Sequence, residues 1–143
     1  MTARETTIED FLHLEIQTMQ ALRGFAFNPR VAGAILRISH ALTVLDAAGR
    51  TLAIAGVTET RPDTAFVWVL LDKNASAHML GLTRLLKWAM RENTRNYKTI
   101  ETLVRSDFGP GHRWARLFGF ECVQQRRSKD PDGNFEDLYR RAA

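Results

Sequence analysis

Apolar residues recur at steps of three and four along the first part of the chain. They are Ile8, Phe11, Leu12, Ile16, Met19 and Leu22. This spacing places them on one face of a helix, and Gly24 marks its expected end. After Asn28-Pro29, the positions of Val31, Ile35 and Ile38 predict a second helix from Val31 to His40.

The following segment has the patterns of β-strands. Three strands are predicted, at Ala41–Asp46, Thr51–Val57 and Phe66–Leu71, with a turn at Ala47–Arg50 and a loop at Arg61–Asp63. Gly49 can supply the positive φ that a tight hairpin needs. Because Phe66–Leu71 is apolar throughout, we expect it to be a central strand that is covered on both faces.

The rest of the chain alternates helices and strands. The predicted elements are a helix from Met79 to about Asn93, a strand at Thr99–Val104, a short helix at His112–Phe118, and a hairpin of Glu121–Arg127 with Phe135–Arg140. The order α-α-β-β-β-α-β-α-β-β predicts one α/β domain over residues 1–143. Its mixed sheet is an antiparallel meander that leads into a β-α-β crossover.

Composition narrows the possible functions. Of the 143 residues, only Cys122 is a cysteine, which excludes internal disulfides and metal sites built from several thiolates. The four histidines lie far apart, so no metal site is predicted. No apolar run reaches the length of a membrane span, and we expect a cytoplasmic protein. The net charge of +4 suits weak attraction to nucleic acid or to a phosphorylated cofactor.

The element order, together with the ending Leu117-Phe118-Gly119-Phe120, resembles the GCN5-related N-acetyltransferase (GNAT) family over nearly the whole chain. In that family a loop of the pattern [Gln/Arg]-x-x-Gly-x-[Gly/Ala] opens the helix after the fourth strand and binds the coenzyme A pyrophosphate. The matching stretch here runs from His78 to Thr83 and is followed by Arg84. The resemblance therefore implies acetyl-CoA as cofactor, bound by His78, Gly81, Thr83 and Arg84.

The chain departs from the family pattern at several positions. His78 replaces the first loop residue, Thr83 replaces the small residue, and Ala115 stands where the family has a tyrosine that acts as general acid. Glu59 and Glu101 are the candidates for the general base that the resemblance implies. A structural interpretation stays open, in which Gly81 lies inside an ordinary helix capped by Asn74 or Ser76.

A closer resemblance is to the acetyltransferase-like internal virion or morphogenesis proteins of short-tailed bacteriophages. The matching segments are Leu52–Gly56, the strand around Trp68, the helix with Arg84–Lys87, and Gly111–Phe120. This resemblance implies a role in virion assembly, in the host cytoplasm or the virion, with a degenerate coenzyme site. Other virion proteins are the expected partners, or DNA through Arg113, Arg116, Arg126 and Arg127. The alternative hypothesis is a working acetyl-CoA-dependent N-acetyltransferase.

Overall fold

The chain forms a seven-stranded mixed sheet with helices on both faces, in a computed structural model that describes residues 1–16, 29–130 and 133–143. The elements, numbered along the chain, are β1 Thr2–Glu5, α1 Ile8–His13, α2 Pro29–Ile38, β2 Ser39–Leu45, β3 Thr51–Arg61, β4 Thr64–Leu71, a 3-10 helix Lys73–His78, α3 Met79–Asn93, β5 Thr99–Arg105, α4 Gly109–Leu117, β6 Glu121–Lys129 and β7 Phe135–Ala142. The strand order is β1-β2-β3-β4-β5-β7-β6, and only β4 and β5 pair in parallel. The predicted α/β class, meander and crossover are confirmed.

The sheet separates two apolar layers. On one face, Phe11 of α1 packs in a buried cluster with Ile54 and Leu70. On the other face, Leu82 of α3 packs in a cluster with Ala53. Successive strand residues point to opposite faces, which is why the neighbours Ala53 and Ile54 belong to different layers.

Helix α4 covers the C-terminal half of the sheet. Ala115 packs there with Ile100 of β5 and Tyr139 of β7. The helix ends at Leu117, and Gly119 just beyond it has a φ of +86°, which suits a residue without a side chain. The chain then turns back, so that the Phe120 N–H donates to the Ala115 carbonyl at 3.2 Å and the Phe120 ring is buried. The Gly-Phe ending is thus the cap of α4.

The first predicted helix is too long. Helix α1 ends at His13, and Leu14 is already extended, with ψ of 125°. Ile16, which the spacing assigned to the helix, forms an antiparallel bridge with Asp72 instead. Met19, Leu22 and Gly24 lie outside the described residues.

Other predicted boundaries are also wrong by a few residues. Ser39 and His40 belong to β2 and not to the second helix, because they pair with β3. Arg61 is the last residue of β3 and does not lie in a loop. Helix α4 begins at Gly109, three residues before the predicted start at His112. Strand β1 was not predicted, since all four of its residues are exposed and it lacks an apolar face.

The hairpin between β2 and β3 is confirmed. Gly49 has a φ of +81°. The Asp46 carboxylate accepts hydrogen bonds from the N–H groups of Ala48 and Arg50, both at 2.9 Å. An aspartate at this position stabilises the turn because its side chain satisfies backbone donors inside the turn.

Gly56 on β3 lies against the indole of Trp68, its partner on β4. A Cβ at position 56 would lie 2.2 Å from Trp68 Cζ2, so Gly56→Ala must displace the ring. We expect the free energy of unfolding to fall by about 1–3 kcal/mol, measured by urea denaturation. Gly33→Ala in α2 is the control, because its Cβ would lie 3.8 Å from Ile8 and should be neutral or stabilising by up to about 1 kcal/mol. Equal losses in the two variants would contradict this account.

Candidate functional site

The sheet divides between its two parallel strands. The register of β4 and β5 covers only Thr64 with Thr99, Ala65 with Ile100 and Phe66 with Glu101. Beyond these pairs a cavity of about 170 Å³, here called the main cavity, lies between the strands. Thr102 donates its hydroxyl to the Val67 carbonyl at 2.8 Å, just past the last pair. The split therefore opens towards the C-terminal ends of both strands.

The main cavity is lined by residues from both faces of the sheet. Its lining includes Val69, which packs with the α3 layer, and Trp68, which packs with the α1 and α2 layer. On the α3 face of the sheet, Leu86 of α3 and Trp114 of α4 form part of the cavity wall. Two reactants on opposite faces of the sheet could meet in such a cavity.

The four predicted coenzyme residues lie together at the start of α3. His78 is the N-cap residue, and its side chain makes no capping hydrogen bond. Gly81 and Arg84 are exposed, whereas Thr83 is half-buried. The positive end of the helix dipole is at this point, which favours an anionic ligand. Asn74 and Ser76 do not cap α3, so that part of the structural interpretation is wrong.

Thr83 is coupled to α4. The Trp114 indole donates from Nε1 to Thr83 Oγ1 at 2.9 Å. The Phe118 ring packs edge-on against the Trp114 ring, with centroids 5.2 Å apart. This hydrogen bond joins the two helices that flank the main cavity on one face of the sheet.

The segment between β4 and α3 is held by Asp72. Its carboxylate accepts hydrogen bonds from the N–H groups of Glu15 and Asn74, both at 2.9 Å. Lys73 forms an ion pair with Glu15. These contacts begin the 3-10 helix and thereby fix where α3 starts relative to the split.

The two predicted base residues lie at the closed end of the split and do not line the main cavity. Glu59 is exposed on β3. Glu101 is buried, with its carboxylate accepting hydrogen bonds from Arg61 and Arg140, each at 2.7 Å. Burial works to raise the pKa of Glu101, but the two guanidinium groups outweigh it and leave the pKa below its usual value. A carboxylate held in this way is a weak base.

Several residues of the main cavity were not predicted. His40 and Arg105 both line it. The Arg105 side chain is 9% exposed and binds the Asp107 carboxylate with two hydrogen bonds, at 2.7 and 2.8 Å. Neither residue stands in a recognisable motif, and only the strand register shows that they border the same space.

A buried polar pair anchors the start of α4. His112 Nδ1 lies 2.6 Å from the Tyr139 hydroxyl, and His112 Nε2 lies 3.0 Å from the Ser106 carbonyl. Because a carbonyl can only accept, Nε2 carries the proton, and in the neutral ring Nδ1 accepts from Tyr139. Burial raises the pKa of Tyr139. The pair therefore holds α4 on β5 and β7.

Within the described ranges, no group of three or more histidine, cysteine or acidic residues is arranged to hold a metal ion. Among the helices of the same ranges, none is long and apolar enough to cross a membrane.

Solved structures with a similar architecture include several N-acetyltransferases. Phosphinothricin acetyltransferase from Sinorhizobium meliloti, solved with acetyl-CoA, is 17% identical and has a TM-score of 0.70 over 99% of this chain and 87% of that one. Ribosomal-protein-alanine N-acetyltransferase from Brucella melitensis is 12% identical, with a TM-score of 0.74 over the whole of both chains. A spermidine N-acetyltransferase from Vibrio cholerae is 10% identical, with a TM-score of 0.73 over 99% and 92%. No family model and no curated protein sequence matches the chain.

The fold is that of the GNAT proteins. These identities are too low to transfer an activity, because one fold serves many functions. What the likeness does establish is the fold, a mixed sheet with one parallel pair of strands and a helix between them in the chain.

Glu101 provides a test of the closed end of the split. Glu101→Gln loses the charge that holds Arg61 and Arg140, and we expect the free energy of unfolding to fall by about 1 kcal/mol at pH 7. Because the folded pKa is lowered, this contribution is present above the ordinary glutamate pKa and is lost as the pH falls through the lowered one. The difference between wild type and variant in urea denaturation should therefore shrink under acid conditions. Glu59→Gln, at an exposed position, should change little at any pH, and a difference that does not depend on pH would contradict the ion-pair account.

Proposed function

We propose that this protein transfers an acetyl group from acetyl-CoA to an amine. The observation that carries the proposal is the main cavity, which lies at the split and is lined by residues that belong to both faces of the sheet. Coenzyme on the α3 side and amine on the opposite side could then meet between β4 and β5. The acetyl-CoA in the Sinorhizobium meliloti structure supports this choice of cofactor.

The residues at the start of α3 fit a phosphorylated coenzyme. Gly81 is exposed and Arg84 adds a cation beside it, but the Met1 side chain lies over Gly81, with its Cε 3.2 Å from the position of a Cβ, and must move before a phosphate reaches the backbone. His78 leaves its side chain free of capping bonds. Thr83 is the poorest fit, because its side chain is larger than the family residue and is bonded to Trp114.

When bound, the coenzyme supplies an acetyl group activated as a thioester. The amine nitrogen attacks the carbonyl carbon, the C–N bond forms, and the C–S bond breaks to release the thiolate. The amine gives its proton to water, and Glu59, which lies outside the main cavity two residues beyond Val57 on β3, takes the proton from that water. Glu101 is assigned a structural part, since two arginines hold its carboxylate. With Ala115 at the family's acid position, the thiolate takes its proton from water.

The second candidate function is a virion-assembly protein with the same fold and a disused coenzyme site. Two observations favour it, the bond between Thr83 and Trp114 across the helices and the alanine at position 115. Its contacts with virion proteins or DNA would use the predicted arginines. All four are exposed: Arg113 and Arg116 on α4, and Arg126 and Arg127 on β6. The structural relatives named above are enzymes, so they favour acetyl transfer, and the virion role stays a prediction.

Coenzyme binding should depend on the size of residue 83. Acetyl-CoA at a hundredfold excess over its Kd stabilises the folded state by about 2.7 kcal/mol, which raises the Tm by several degrees. We expect Thr83→Ala to bind acetyl-CoA more tightly than wild type in calorimetry, because it loses both bulk and the Trp114 bond.

Thr83→Val is the matched control, since it also loses the bond but keeps the bulk. Valine and alanine variants of equal affinity would show that bulk at this position does not limit binding. Absence of any Tm rise in wild type with acetyl-CoA, relative to ATP at the same concentration, would overturn the enzymatic proposal in favour of the virion role.

Ala115→Tyr should raise turnover by supplying the missing acid. Ala115 is buried in α4 and lines the main cavity, so a tyrosine there would place a hydroxyl in or beside it. Ala115→Phe is the control, because it imposes nearly the same packing cost without the hydroxyl. We expect acetyl-CoA turnover with a panel of amines to be higher for the tyrosine than for the phenylalanine variant. Equal turnover would mean that no thioester sulfur comes near position 115.

A further inference from the structure

A second cavity, here called the basic cavity, lies at the other end of α3. It measures about 360 Å³ and is bordered by the C-terminal half of α3, the start of β5 and the end of β7. From Gly81 to Arg91 the helix rises roughly 15 Å, so this cavity is well separated from the proposed coenzyme site.

The side chains around the basic cavity carry an excess of positive charge. Lys87, Arg91, Arg95 and Arg141 line it, and no acidic side chain is among its lining residues in the described part of the chain. Arg95 donates a hydrogen bond to the Glu92 carboxylate at 2.6 Å, and Glu92 itself does not line the cavity. Arg141 is held in place, since its Nη1 donates to the Phe118 carbonyl at 2.6 Å.

The helix dipole explains only part of this arrangement. A cation in the last turn, such as Arg91, is stabilised by the negative end of α3. Lys87 lies a full turn earlier, and like charges at positions i and i+4 destabilise a helix. Arg141 comes from a different element and adds to the same charge. The cluster would gain stability from an anion that several of these cations share.

We propose that the basic cavity binds a diphosphate group, either free or as part of a nucleotide. A diphosphate carries about three negative charges near neutral pH, which complements Lys87, Arg91 and Arg141, since Arg95 is already paired with Glu92. Arginine is suited to this contact because its planar guanidinium binds phosphate oxygens with two hydrogen bonds. Lys87 and Arg91 hold the ligand from the helix, and Arg141 holds it from β7.

The test is calorimetric titration with sodium diphosphate and, separately, with ADP. Lys87→Glu/Arg91→Glu should weaken binding by about tenfold or more, because two charge-assisted contacts become repulsive. The matched control is Arg30→Glu/Arg37→Glu, which makes the same change in net charge at two exposed positions of α2 on the opposite face of the sheet. We expect the control to bind like wild type. Tighter binding of ADP than of diphosphate identifies a nucleotide as the ligand class, and the reverse identifies the free anion.

The neutral variant Lys87→Gln/Arg91→Gln tests the same two side chains in case the acidic variant does not fold. It should retain the wild-type circular dichroism spectrum and still lose most of the affinity. The titration is then repeated with acetyl-CoA present. Competition between diphosphate and acetyl-CoA would place the anion at the start of α3 and overturn the proposal, as would equal affinity in all variants or no binding by wild type. If the protein does not bind acetyl-CoA but the variants change diphosphate binding as expected, the proposed acetyl transfer is wrong and the proposed diphosphate site stands.

Discussion

The short ladder between β4 and β5 is the constraint on which the site depends. Parallel pairing ends at Phe66 and Glu101, although both strands continue for several residues. Backbone groups past that point must find other partners, because unpaired polar groups are costly inside a protein. Thr102 satisfies the Val67 carbonyl with its side chain. Most residues of β4 and β5 beyond this point border the main cavity, so the cavity exists because the ladder between the two strands stops.

A sheet with so few parallel pairs needs reinforcement at its closed end, and Glu101 provides it. This residue lies on β5, while its partners Arg61 and Arg140 lie on β3 and β7. The Arg61 pair therefore crosses β4 and connects the two halves of the sheet, whereas Arg140 lies directly opposite Glu101 on the neighbouring strand β7. Since Glu101 also has a pKa below its usual value, the connection stays charged at neutral pH. The same properties that suit it to this structural role make it a weak base.

Local sequence signals predicted the turn between β2 and β3 and the long helix α3, because a few neighbouring residues decide those features, but they assigned the cap of α3 to the wrong residues. Gly49 is an example, since a tight hairpin needs its positive φ. Contacts between residues that are distant in sequence could not be predicted from such local signals. Ile16 fits the spacing of α1, yet it leaves the helix to bridge Asp72, which lies in a distant part of the chain. Glu101 was predicted as a catalytic base, but Arg61 and Arg140, which are distant in sequence, donate hydrogen bonds to its carboxylate.

Two of the three departures from the family pattern, Thr83 and Ala115, lie close together, because Trp114, next to Ala115, donates a hydrogen bond to Thr83. A coenzyme that settles between α3 and α4 must replace the Trp114–Thr83 bond with contacts of its own. Such a bond contributes about 0.5–1.5 kcal/mol net, which corresponds to a loss in affinity of roughly tenfold or less. A penalty of that size weakens binding without abolishing it. The bond therefore does not by itself argue for a disused site, and the bulk of the Thr83 side chain is the greater obstacle to the coenzyme.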